Sequence, residues 1–187
     1  MRGAGDHSDR PNMRHLLVLA TTMAVAAMLI GPSSASANND PHRIFLPFAS
    51  FDLDDSYCDA FPVHVDGPVN REYGTVSTLP DGSTFIKVTG SFFVSLTNRD
   101  TGKTIVINAS GPGSFTISPD GTTMIGDFRG RGLLWDPNLT KFGFPSNVVA
   151  AAGPVLITGQ VAADETLTFT SVSGHPHVIT DVCAALS

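Results

Sequence analysis

Residues 91–108 read SFFVSLTNRDTGKTIVIN, and the reading of their middle decides the fold. Gly102-Lys103-Thr104 looks like the tail of a phosphate-binding loop, which would bring a nucleotide with it. Such a loop needs a glycine five residues before its Gly-Lys pair, and then a helix whose free amides face the anion. Thr97 stands at the first place, and Ile105-Val106-Ile107-Asn108 follows Thr104. On the near side, Phe92, Val94 and Leu96 alternate with Ser91, Ser95 and Thr97. Residues 98–102 are therefore expected to be a hairpin loop between two strands, with Gly102 at the positive-φ position.

The same alternation recurs outward from this hairpin. It is present in TFIKV (84–88), KTIVIN (103–108), VLITGQV (155–161) and TLTFTSV (166–172). Period two in threonine, valine, isoleucine and phenylalanine marks half-buried strands. Pro80-Asp81-Gly82-Ser83 and Pro119-Asp120-Gly121-Thr122 are near-copies that read as tight turns. Their spacing is read as two uses of one good turn rather than as an internal repeat. Gly111-Pro112-Gly113 and Gly130-Arg131-Gly132 are further breaks. The stretch 136–147 (DPNLTKFGFPSN) reads as a long loop over one end of the fold, and 146–153 (SNVVAAAG) as a short helix. Eight to ten short strands joined by tight turns predict an all-β domain. An antiparallel up-and-down β-barrel is favoured, with a Greek-key β-sandwich as the alternative.

Targeting comes from the N-terminal part. Met13-Arg14-His15, the apolar run Leu16 to Ile30 and the small-residue end Ala35-Ser36-Ala37 make a signal peptide over 13–37. The apolar core falls short of the ~20 residues of a membrane span. Residues 1–12 fit no signal-peptide region and read as an extended n-region, or as lying ahead of a true start at Met13. The expected mature chain, 38–187, is one secreted domain with no membrane anchor. Arg2, Arg10, Arg14, Asp6 and Asp9 precede it, which leaves 8 of the 11 basic and 15 of the 17 acidic residues. A net charge near −7, without a basic run, disfavours nucleic acid and anionic membrane. Both cysteines, Cys58 and Cys183, lie in the exported part and are expected to oxidise.

Candidate chemistry concentrates in GHPHVITDVC, 174–183. In an extended strand His175, His177, Ile179, Asp181 and Cys183 fall on one face. Two imidazoles at i and i+2 suit a metal, with Asp181 and His64 of PVHVD as further weak candidates. Pro176 places this segment at an edge or in a loop, and a hydrogen-bonded or solvated pair is the plainer reading. Asp52, Asp54 and Asp55 suggest calcium, yet Tyr57 occupies the place an EF-hand loop gives to glycine. No Gly-x-Ser-x-Gly elbow, paired-carboxylate spacing or cofactor motif is found. No catalytic residue and no cofactor are therefore assigned. Trp135, with Phe142 and Phe144, is expected at the mouth of the fold, where an apolar pocket would take a small ligand and Trp135, His175 and His177 are the candidate ligand-binding residues.

Several segments together carry a resemblance. They are Cys58-Asp59-Ala60-Phe61-Pro62-Val63, Thr78-Leu79-Pro80-Asp81-Gly82, Thr101-Gly102-Lys103-Thr104, Ser110-Gly111-Pro112-Gly113 and the closing Asp181-Val182-Cys183-Ala184-Ala185-Leu186. With the leader, they resemble small secreted proteins of actinobacteria that have no assigned activity. The resemblance implies export from a Gram-positive cell and a β-rich domain with a Cys58–Cys183 bridge. The residues themselves favour a non-enzymatic binding domain for a small apolar ligand or a cell-surface partner. The alternatives are a barrel-type cyclase or isomerase, or a metal-binding protein, using the His175/His177 face.

Overall fold

In a computed structural model of the chain the described residues are 43–163 and 166–187. The expected leader at 13–37 and the segment 1–12 lie outside them. The first strands are short, β1 (Arg43–Phe45) and β2 (Phe51–Leu53), followed by a single helical turn, α1 (Asp55–Cys58). Two long strands come next, β3 (Val63–Thr78) and β4 (Thr84–Asn98). Then follow β5 (Thr104–Asn108), β6 (Gly113–Ile117), β7 (Thr123–Phe128) and β8 (Arg131–Trp135). A 3-10 turn (Leu139–Phe142) leads to β9 (Val148–Ala152) and β10 (Val155–Val161). The chain closes with β11 (Leu167–Gly174), β12 (His177–Asp181) and α2 (Val182–Leu186).

The fold is all-β and every pairing is antiparallel. One sheet runs β1-β3-β4-β6-β7-β10-β11, with β2 also on β3 and β5 also on β4; a second runs β12-β9-β8. The path of the large sheet ends at β1 and β11, and no closed barrel is found among the described residues. The opening stretch is the hairpin between β4 and β5. Gly102 N–H donates to the Asn98 carbonyl at 2.8 Å, and Asn98 N–H to that of Lys103 at 2.9 Å. Both Pro-Asp-Gly stretches are hairpin turns as well, joining β3 to β4 and β6 to β7. Their side-by-side placement brings Pro119 to 3.6 Å from where a Gly82 side chain would begin.

Two expectations need correction. Residues 84–88 and 91–97 are not separate strands but one 15-residue strand, β4. The apparent break at Gly90 is a close approach: its φ is +143°, and a side chain there would begin 2.1 Å from the Arg71 carbonyl oxygen. Only glycine tolerates both. Gly90 pairs with Glu72, and a few residues further along, opposite residues 93–95 of β4, β3 has a register shift between Asp66 and Val69, around Gly67-Pro68. The two ends of the long hairpin thereby serve different neighbours. One end takes β2 and β5, the other β1 and β6.

The second correction concerns 146–153, which holds strand β9 rather than a helix. Alanine favours helix in isolation, but β9 pairs on both edges and is buried on both faces. Its Val148 and Ala150 belong to one core with Phe51, Leu53, Val63, Val65, Val94, Leu96 and the β5 residue Ile107. Its Val149 and Ala151 belong to another, with Val155 and Ile157 of β10 and, at its margin, Phe128, Phe169 and Val172. The small sheet is thus a middle layer, flanked by the β2-β3-β4-β5 end of the large sheet and by its β7-β10-β11 end. Both valines are 0% exposed, and each contributes about 2 kcal/mol by leaving water.

Candidate functional site

The chain passes between the two sheets at three places: Arg129-Gly130, Gly153-Pro154 and His175-Pro176. They meet at one end of the fold, where Gly153 N–H donates to the Gly130 carbonyl at 3.1 Å. The would-be side chain of Gly153 also faces the His175 carbonyl at 3.4 Å. Beside the last crossing lies an open-mouthed cleft of about 320 Å³. Phe142, Gly143 and Phe144 form one wall; residues 172–176 and Val178 form the other.

The first wall is carried by the loop after β8, which a buried acid holds in place. Asp136 is 1% exposed. Its Oδ1 accepts from Asn138 N–H at 2.7 Å and its Oδ2 from Phe169 N–H at 2.8 Å. The second bond reaches β11 beside its register shift, where Thr158 pairs with Ser171 but Gly159 pairs with Phe169. The far end of the loop is tied by Asn147. Its carbonyl accepts from Asp136 N–H at 3.1 Å, and its Oδ1 from Thr140 N–H at 3.1 Å. With both ends pinned, Phe142 and Phe144 lie partly buried against the second core.

The sequence-predicted residues are scattered by the fold. His175 reaches the cleft. Trp135 does not; it packs into the first core with its ring 5.7 Å from that of Phe51. The expected single face of His175, His177, Ile179, Asp181 and Cys183 is corrected by a bulge in β12. Val178 pairs with Ala151 but Thr180 with Ala150, which leaves Ile179 as the extra residue. His177 and Asp181 therefore point to opposite faces, since their partners Ala152 and Val149 differ by an odd number. Cys183 has already entered α2, and Asp181 caps that helix, its Oδ1 accepting from Ala184 N–H at 3.1 Å.

His64 lies on the outer face of the β2-β3-β4-β5 end, opposite Asp52, with Nδ1 2.7 Å from Asp52 Oδ1. Arg99 reaches the same oxygen at 3.3 Å. Asp54 caps α1 through Ser56 N–H at 3.0 Å, so the acidic stretch serves separate local tasks. Among the described residues no three His, Cys, Asp or Glu side chains gather to hold a metal ion. Cys58 and Cys183 are bonded, with Cα atoms 5.2 Å apart, and join α1 to α2 within the first core. Beside them, burial first, then the Asp54 and Asp136 charges, push the Tyr57 phenol up to about 12.

No protein-family model matches the chain, and neither does a curated protein or a solved structure. Its chemistry has to be read from the geometry.

Two structural residues escaped the sequence reading. One is Asp136, whose only signal was an Asp-Pro-Asn turn. The other is Asn98, 2% exposed, whose Nδ2 donates to the Leu186 carbonyl at 3.0 Å. Its Oδ1 accepts from Asp100 and Thr101 N–H at 2.9 and 3.1 Å. Lys103 Nζ adds a bond to the Ser187 carbonyl oxygen at 2.7 Å. The stretch that imitates a phosphate loop is a hairpin that grips α2.

Proposed function

We propose that the protein is an exported, non-enzymatic β domain that binds a small apolar ligand. Export rests on the leader pattern at 13–37 and on the bonded cysteines; the absence of a membrane-crossing helix among the described residues is compatible with it. The resemblance to small secreted actinobacterial proteins points the same way. For the architecture we favour layered sheets over a barrel, because β9 fills the space that a barrel would leave as lumen.

One observation carries the binding reading. The cleft at the sheet crossings sets Phe142, Phe144, Val172 and Val178 beside the polar Ser173, His175 and glycine backbone, and its loop is fixed by buried hydrogen bonds rather than left to collapse. Ligand sites are concave and preformed and combine apolar walls with a few polar groups, and about 320 Å³ falls at the small end of their range. A bicyclic aromatic of about 13 non-hydrogen atoms would gain about 4 kcal/mol at ~0.3 kcal/mol per atom, a Kd of about 1 mM.

Titration of the ¹⁵N-labelled protein with uncharged 2-naphthamide tests this. The Gly143, Ser173 and Gly174 amides are expected to shift and saturate, and Phe144→Ala is expected to weaken the effect severalfold. Shifts that map elsewhere, or none up to the solubility of the amide, would overturn the reading.

A further inference from the structure

The segments that form the cleft walls carry none of the chain's acidic residues. Residues 137–163 and 166–180, which supply both walls, contain no Asp or Glu, although the chain holds 17. Their charged or chargeable residues are Lys141, His175 and His177. Lys141 is spent on its own turn, its Nζ donating to Asn138 Oδ1. His177 is exposed on β12, outside the cleft lining. His175 is the one titratable residue in the lining, beside the apolar pair Val172 and Val178 and across from Phe142 and Phe144. The nearest buried acid, Asp136, lies at the root of the loop with both oxygens engaged. At the neighbouring end of β7, Asp127 and Arg129 offset each other through two bonds of 2.8 Å. Charge farther away is screened over about 8 Å at physiological salt, which leaves His175 as the group facing a ligand in the cleft.

We infer that the ligand is a small soluble amphiphile: an aromatic or aliphatic body held by Phe142, Phe144, Val172 and Val178, and an anionic head, carboxylate or sulfonate, bonded to His175. The inference rests on the cleft reading above and adds the chemistry of the head. An imidazole donating to an anion forms a charge-assisted hydrogen bond, which is worth about tenfold in affinity. The cleft holds the volume of about ten water molecules at ~30 Å³ each, which suits a small acid better than a lipid chain.

The test compares 2-naphthoate with 2-naphthamide, which share a body and differ in charge, at a mildly acidic pH. The wild-type protein is expected to bind the acid about tenfold more tightly than the amide. His175→Gln, at an exposed position, should bring the acid to within twofold of the amide, with the near-ultraviolet circular dichroism preserved. Equal binding of acid and amide by the wild type would overturn the inference while the cleft reading stands. So would a preference for the acid that survives His175→Gln. Failure of both probes would remove the cleft reading itself. Sedimentation with phosphatidylglycerol vesicles that His175→Gln abolishes would overturn the soluble ligand in favour of a membrane headgroup.

Discussion

Replacing Asn98 by alanine tests the claim that the β4–β5 hairpin is the clasp of α2. The Asn98 amide is buried, and its Nδ2 is the side-chain donor to the Leu186 carbonyl, next to a side chain that is 0% exposed. Truncation leaves that carbonyl short of a partner, at a cost of about 2 kcal/mol. It also removes the acceptor for Asp100 and Thr101 N–H. Asp100 and Thr101 are exposed and rebind water, so each loss costs only about 0.5 kcal/mol. The total is about 3 kcal/mol. At about 3 °C per kcal/mol for a domain near 150 residues, the midpoint of thermal unfolding should fall by about 9 °C. Lys103→Ala removes the neighbouring bond to Ser187 at an exposed site, and surface changes of that kind stay within about 0.5 kcal/mol. Both variants are to be followed by near-ultraviolet circular dichroism on the oxidised protein. A shift below about 2 °C for Asn98→Ala, or an equal shift for Lys103→Ala, would refute the reasoning.

Removing the bridge with Cys58→Ala plus Cys183→Ala frees a loop with a sequence separation of 125. On the chain-entropy argument this lowers stability by up to about 5 kcal/mol, measurable as a fall in urea midpoint. An unchanged midpoint would show that the bridge adds nothing beyond the packing around it. Glu72 is held above the ordinary carboxyl range by burial. Its stabilising, protonated form is complete below the unfolded value and lost as pH rises through the folded one, so at neutral pH its charge works against the fold. Glu72→Gln should raise the neutral-pH urea midpoint and lose that advantage in acid below the usual glutamate range; an equal gain at both pH values would point to packing instead.

How much of this was written locally can be judged residue by residue. The hairpins at 78–84, 98–104 and 117–123 could be read in advance, because turn residues and alternation act over a few positions. The cysteine pair could be read because only two were present. The 84–98 strand was misread in the middle because a glycine that admits a neighbouring backbone looks the same as one that ends a strand. The β12 face was misread because a bulge moves side chains by one place without any mark in composition.

The sequence by itself determined an all-β, antiparallel chain with short turns and a pair of cysteines available to each other, since these depend on backbone preferences and on burying one face of each strand. Only the tertiary structure decided that VVAAA is the middle of three layers, that Asp136 ties a loop to β11, and that Trp135 and His175 part company. Each of those depends on what covers the second face or the free edge of a strand. Segments far apart in the chain supply that cover, and no local pattern names them.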